Sequence, residues 1–397
     1  MRQDRNGTEL VLPGRNSWAR ESIAIVKMKS SKHSVGDWVE VRSKAEILST
    51  LDSNAQMDGM PFMPEMFAFC GKRFQVYKRA HKTCDTVFPV RGRRVADAVH
   101  LETRCDGSAH GGCQAGCLIF WKDAWLKPVS KNAPEHAASG ALQPENRCTE
   151  AAGGPGCTEA IVEARSQTVD SDPEVPTYSC QATKLPYATT QLDWWEPRQY
   201  IEDYTSGNVS LWRIISGGAY FAFLSVTKVI GGPTLRRLYD KFYGLWRGAP
   251  FPRKTGAIPY GQSTPVENLD LQAGELVQIK PYEEILKTLD TSSKNRGLYF
   301  DAEEVPYCGG TYRVLRRVER IVNERTGKMR EMKVPCVILD TVICDSRYSE
   351  CRLFCPRSIY AYWREIWLER VGPKPSAPRL DTAEHNTSRC EPAASNR

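Results

Sequence analysis

Fourteen cysteines are the residues best placed to do chemistry in this 397-residue chain, and eight of them recur as two matched sets. The first set is Cys70, Cys105, Cys113 and Cys117; the second is Cys308, Cys344, Cys351 and Cys355. Four thiolates suit a tetrahedral zinc ion or an iron–sulfur cluster, because soft sulfur ligands select those metals. Zinc is the expectation, since the chain has neither the C-x2-C-x2-C run nor the plant-type spacing of cluster proteins. The loop CDGSAHGGCQAGC in the first set is glycine-rich, as a tight wrap around an ion requires. The bland alternative for all eight is small buried side chains. The first set also has neighbours that the second lacks. His81, Cys84 and Asp85 stand in RAHKTCDT, where the second copy has Glu319 and Val322 in place of His81 and Cys84. A His/Cys/Asp group can supply a nucleophile and its base for redox or hydrolytic chemistry, although an ordinary strand end explains the same residues without any. His110 is a further ligand candidate. Cys148, Cys157, Cys180 and Cys390 lie in or beside low-complexity stretches and are not expected to bind metal. Phosphate-loop, dinucleotide, H-E-x-x-H and G-x-S-x-G motifs are all missing.

The elements that must position these residues follow from an internal repeat. Gly36 to Asp52 (GDWVEVRSKAEILSTLD) returns as Gly274 to Asp290 (GELVQIKPYEEILKTLD), and the register runs on without a gap through Glu65/Glu303 and Cys70/Cys308 to Arg79/Arg317. Fifteen of the forty-four positions over residues 36–79 are identical. Trp121 and Trp125 match Trp363 and Trp367. Each copy opens with a strand that alternates apolar and polar residues, followed by a short helix beginning at Ser43 or Pro281. In the second copy TYRVLRRVERIV and MREMKVPCVILDTVIC are two strands joined by the turn NERTGK. Turning near Thr326, that hairpin places Cys308 opposite Cys344 at its open end. Similar logic brings Cys70 near Cys105.

The predicted organisation is a flexible arm over 1–35, a cysteine-rich β unit over 36–129, a disordered linker over 130–190, a helical segment over 191–256, a second β unit over 257–371 and a disordered tail over 372–397. The linker and tail are rich in Pro, Gly, Ala, Ser and Glu, too polar to offset the entropy of ordering them. The opening Gly36-Asp37-x-Val39-x-Val41 resembles the start of SH3-like, KOW-type barrels. The chain as a whole resembles a bacterial family of cysteine-rich proteins, a likeness that implies no particular activity. The expected fold is therefore mainly β with helices (α+β), as two duplicated SH3-like barrels separated by linker and helices.

Composition narrows the class further. A 41% hydrophobic content supports a sizeable core, and no run of eighteen apolar residues offers a spanning helix. The N-terminus has no apolar stretch of the secretory kind, so a cytoplasmic location is expected. In 211–247 an apolar stretch precedes the basic, aromatic LRRLYDKFYGLWRG, which suits a helical hairpin against the barrels or a peripheral contact with the inner face of a membrane. The net charge of +7 permits nucleic acid, and basic hairpins (KRAHK, RGRR, RVLRRVER) could hold it, but interspersed acids favour solvated strand faces. The expected role is binding or scaffolding of a protein partner rather than catalysis, with metal supplying folding energy to two small barrels.

Overall fold

The computed structural model describes residues 33–87, 91–130, 156–168, 176–230, 232–245, 250–349 and 352–372. The chain is a mixed α+β protein organised around two five-stranded antiparallel sheets. The first contains β1 (Trp38–Val41), β2 (Arg73–Arg79), β3 (Ala98–Arg104), β4 (Leu118–Lys122) and β5 (Leu126–Pro128), in the order β4-β3-β2-β1-β5. The second contains β6 (Leu276–Ile279), β7 (Thr311–Val322), β8 (Met329–Ile343), β9 (Tyr360–Trp363) and β10 (Leu368–Arg370), in the order β9-β8-β7-β6-β10. Among the described residues neither sheet closes, so β4, β5, β9 and β10 are edges.

Local sequence explains the matching elements. Alternation in β1 and β6 turns Val39, Val41, Val277 and Ile279 into the two cores. Helix α1 (Lys44–Leu48) starts at a capping box: the Ser43 side chain accepts from the Glu46 N–H, and the Glu46 carboxylate accepts from the Ser43 N–H. Its counterpart, Tyr282–Thr288, starts after Pro281. All four repeated tryptophans are fully buried. Trp125 donates its indole N–H to Thr50 at 3.1 Å and Trp367 to Thr288 at 2.9 Å, so the second tryptophan of each pair satisfies its polar handle inside its own unit. The β7–β8 hairpin keeps within two residues of the expected register, with bulges after Val314 and Val318.

The expected linker over 130–190 is corrected in part. Helix α2 (Glu159–Ser166) and helix α3 (Gln181–Ala188) are folded onto the first core, burying Cys157, Val162 and Leu185. Gln181 fixes α3 to β4: its side chain accepts from the Phe120 N–H at 2.8 Å and donates to the Phe120 carbonyl at 2.8 Å. Averaged composition hides such short amphipathic segments. Apart from residues 33–35 and 372, the predicted arm and tail lie outside the described residues, as does 131–155.

The helical segment is present as α4 (Arg198–Thr205), α5 (Leu211–Ile230) and α6 (Gly232–Leu245). Tyr220 and Leu224 of α5 pack with Tyr239 of α6 and with Phe251, while Ile214 and Phe221 pack on Leu353 and Phe354. Trp212, Ile215 and Val226 remain exposed. No helix among the described residues is long and apolar enough to cross a membrane.

The two sheets are joined directly. The loop between β3 and β4 lies on the β7–β8 hairpin: the Gln114 N–H donates to the Arg320 carbonyl at 3.1 Å, and the Gln114 side chain accepts from the N–H groups of Glu319 and Arg320. Arg104 lies over the Tyr360 ring at 3.9 Å and donates to the Ser358 carbonyl. The Tyr178 N–H, from the stretch before α3, reaches the Gly327 carbonyl at the hairpin tip at 2.8 Å.

Candidate metal centre

One group of three ligand-type side chains comes together among the described residues: Glu65, Cys105 and His110, with their ligand atoms all within 4.8 Å of one another. Glu65 sits on the 3-10 turn Pro64–Phe69, Cys105 follows directly on β3, and His110 is in the glycine-rich loop. The loop conformation depends on Gly107, whose φ of +78° is left-handed and whose carbonyl accepts from the N–H groups of His110 and Gly112. A Cβ there would lie 2.1 Å from the Cys113 carbonyl oxygen, so only glycine lets the loop fold back this tightly.

The three side chains form one cluster of ligand-type atoms. His110 Nδ1 lies 2.7 Å from Glu65 Oε1, the Cys105 thiol approaches the same oxygen at 3.7 Å, and the Ala109 N–H donates to it at 3.1 Å. His110 Nε2 faces the Ser179 carbonyl at 3.3 Å. The side chains of Glu65 and His110 are almost wholly buried. Burial pushes the Glu65 carboxyl up, but the hydrogen bond and charge of His110, with the Ala109 amide, outweigh it and hold the group below its usual value. Its second oxygen, Oε2, is buried with no hydrogen-bond partner, an uncompensated carboxylate lone pair that a cation would satisfy. Burial and the Glu65 charge raise the Cys105 thiol far above its ordinary range. Oxygen, nitrogen and sulfur donors together match the zinc repertoire.

Cys113, Cys117 and Cys180 line one small apolar cavity of about 30 Å3 together with Cys105 and His110. That is room for a single water or ion. Burial pushes Cys117 up to about 12 and Cys180 to about 11. Cys180, set aside in sequence reasoning as a linker residue, thus belongs to this site's wall. Glu65 was also missed, although its identity with Glu303 was visible. The two glutamates do the same local work: Glu303 accepts from the N–H groups of Arg347 and Tyr348 at 2.8 and 2.6 Å and from Ser349. The second loop offers Tyr348 and Ser349 where the first has His110, so among the described residues the Glu/Cys/His set occurs in one unit only.

The proposed four-cysteine groupings do not form among the described residues. Cys70 packs against the first core, with Lys44 and Glu159 as its charged neighbours, and Cys308 packs against the second core beside Glu304. Both precede a left-handed glycine, Gly71 or Gly309, and their side chains turn inwards as core residues. Cys351 lies outside the described residues. Cys344 hydrogen-bonds Ser346. Cys355 instead meets Cys84 of the other unit: the Cys84 N–H donates to Cys355 Sγ at 3.1 Å. A hydrogen bond from Cys355 outweighs burial and, with the charges of Arg357 and Arg352, lowers the Cys84 pKa, while Cys355 is raised as the partner that keeps its proton.

His81 is hydrogen-bonded away from Cys84 and Asp85. Its Nε2 faces the Gln199 carbonyl at 3.2 Å and Asp203 at 3.3 Å, and Lys82 pairs with the same buried Asp203 at 2.5 Å. Asp85 pairs with Arg93. Three of the basic hairpin residues are likewise engaged internally: Arg79 with Asp123, Arg94 with Glu196, Arg317 with Glu365. Comparison with protein-family models, curated proteins and solved structures finds no match to this chain.

Proposed function

We propose that this chain is a metal-stabilised scaffold of two SH3-like units, in which one zinc ion at Glu65, Cys105 and His110 holds the cysteine-rich loop of the first unit against the hairpin of the second. The observation that carries this reading is the buried Glu65–Cys105–His110 group with its unpartnered carboxylate oxygen. Three side chains leave a coordination position facing the small cavity, where a water or one of its thiols completes four ligands. Strand order supports the SH3-like assignment, since each first strand lies between the second and the last, and a 3-10 turn precedes each last strand. Exposed Trp194, Trp195, Tyr204 and Trp212, on and beside α4 and the start of α5, make the surface offered to a protein partner.

Elemental analysis of protein purified without chelator tests the reading. One zinc per chain is expected, lost below about a tenth in Cys105→Ser or His110→Ala, with colourless protein throughout. Absence of metal, or metal retained in both variants, overturns it. Iron with visible absorbance would replace zinc by a cluster.

A further inference from the structure

The meeting of Cys84 and Cys355 is independent of the zinc reading. These cysteines are 271 residues apart in sequence, come from different units, and are both buried. The Arg357 guanidinium stands 3.9 Å from the Cys84 sulfur and is itself buried and held by Glu324 at 2.9 Å. Arg352 is a second cation beside the pair. Cys84 opens onto a cavity of about 190 Å3 that Arg352 and Cys344 also line. Such a space admits several water-sized molecules. A sulfur nucleophile is thus set beside fixed positive charge, with a second thiol in reach and a chamber for a small oxidant.

We propose that Cys84 and Cys355 form a peroxide-reactive dithiol whose oxidation links the two units covalently. The Cys84 sulfur attacks one oxygen of hydrogen peroxide or a small hydroperoxide; an S–O bond forms as the O–O bond breaks, and the departing oxygen takes up a proton to leave as water or an alcohol. The Cys355 sulfur then attacks the sulfenic sulfur, forming S–S and breaking S–O, and the hydroxyl leaves with the Cys355 proton as water. Two thiols are oxidised by two electrons and one peroxide is reduced. Arg357 and Arg352 stabilise the thiolate and the developing negative charge on the leaving oxygen.

The test is peptide mapping of the full-length reduced chain after equimolar hydrogen peroxide and alkylation. A Cys84–Cys355 peptide is expected, reversed by dithiothreitol, with Cys84 consumed at least about tenfold faster than Cys336, a buried thiol beside Met332. Cys355→Ser should stop at a sulfenic acid on Cys84 that dimedone traps, and Cys84→Ser should leave Cys355 reduced. Mapping of the unsubstituted chain decides the pairing even where a variant fails to fold. Both thiols remaining alkylatable after peroxide, or Cys84 pairing with another cysteine, overturns the proposal. So does protection of both thiols that a chelator removes, since that would mark a shared metal.

Discussion

His100 shows how much one side chain can commit in this interior. It is fully buried beside Phe120 and donates its Nδ1 proton to the Ile119 carbonyl at 2.8 Å, while Nε2 has no partner. Burial, opposed by the Ile119 hydrogen bond and aided by Lys78, Arg357 and Arg104, depresses its pKa to about 3. An unfolded chain would protonate this ring near pH 6.5, so it binds more protons than the native state between those values. Stability contributed by the neutral ring is therefore present above pH 6.5 and falls as the pH drops towards 3, by about 1.4 kcal/mol per unit. Urea midpoints at pH 7 and pH 4.5 should differ less in His100→Gln than in the parent; equal differences would reject the assignment. Legibility at this scale was uneven. Spacing identified the cysteines as the residues to follow, and named Cys105, His110 and Cys84. It could not single out the thiol that meets a carboxylate, because Cys70 and Cys105 both pack on the first core and only Cys105 also reaches Glu65. Glu65 went unweighed because counting thiols left no place for a carboxylate.

Elements were more legible than sites. The strands, the capped helix and both tryptophan pairs lie where the aligned segments put them, because alternation and capping are local signals. Helices α2 and α3 were not legible, since their stability comes from what they bury rather than from propensity. Gln181 carries the clearest consequence. Replacing it with Leu leaves the buried Phe120 N–H and carbonyl unpaired towards α3, which should cost about 2 kcal/mol or more. A lowered denaturant midpoint with an unchanged slope checks this; no shift would mean that α3 does not brace β4.

Across the whole molecule, the two units are expected to unfold as one. Gln114, Arg104 and Tyr178 tie the first to the second through backbone groups, contacts that a tandem-repeat reading of the sequence gives no means to foresee. Trp363→Ala, in the second core, should destabilise by about 3–5 kcal/mol. Calorimetry should then show a single transition moved downwards, with no high-temperature remainder from the first unit. Two separated transitions would show that the units are energetically independent. A consequence follows from where the first core finds its last pieces. Cys157, Val162 and Leu185 come from beyond residue 155, whereas the strands they cover end at Pro128. A polypeptide ending at residue 130 would keep its sheet's sequence but lack its lid. Cleaving the chain between residues 131 and 155 should therefore yield two fragments that are each poorly folded alone yet recover the parent's far-ultraviolet circular dichroism when mixed, reassociating as halves of one body rather than as two modules.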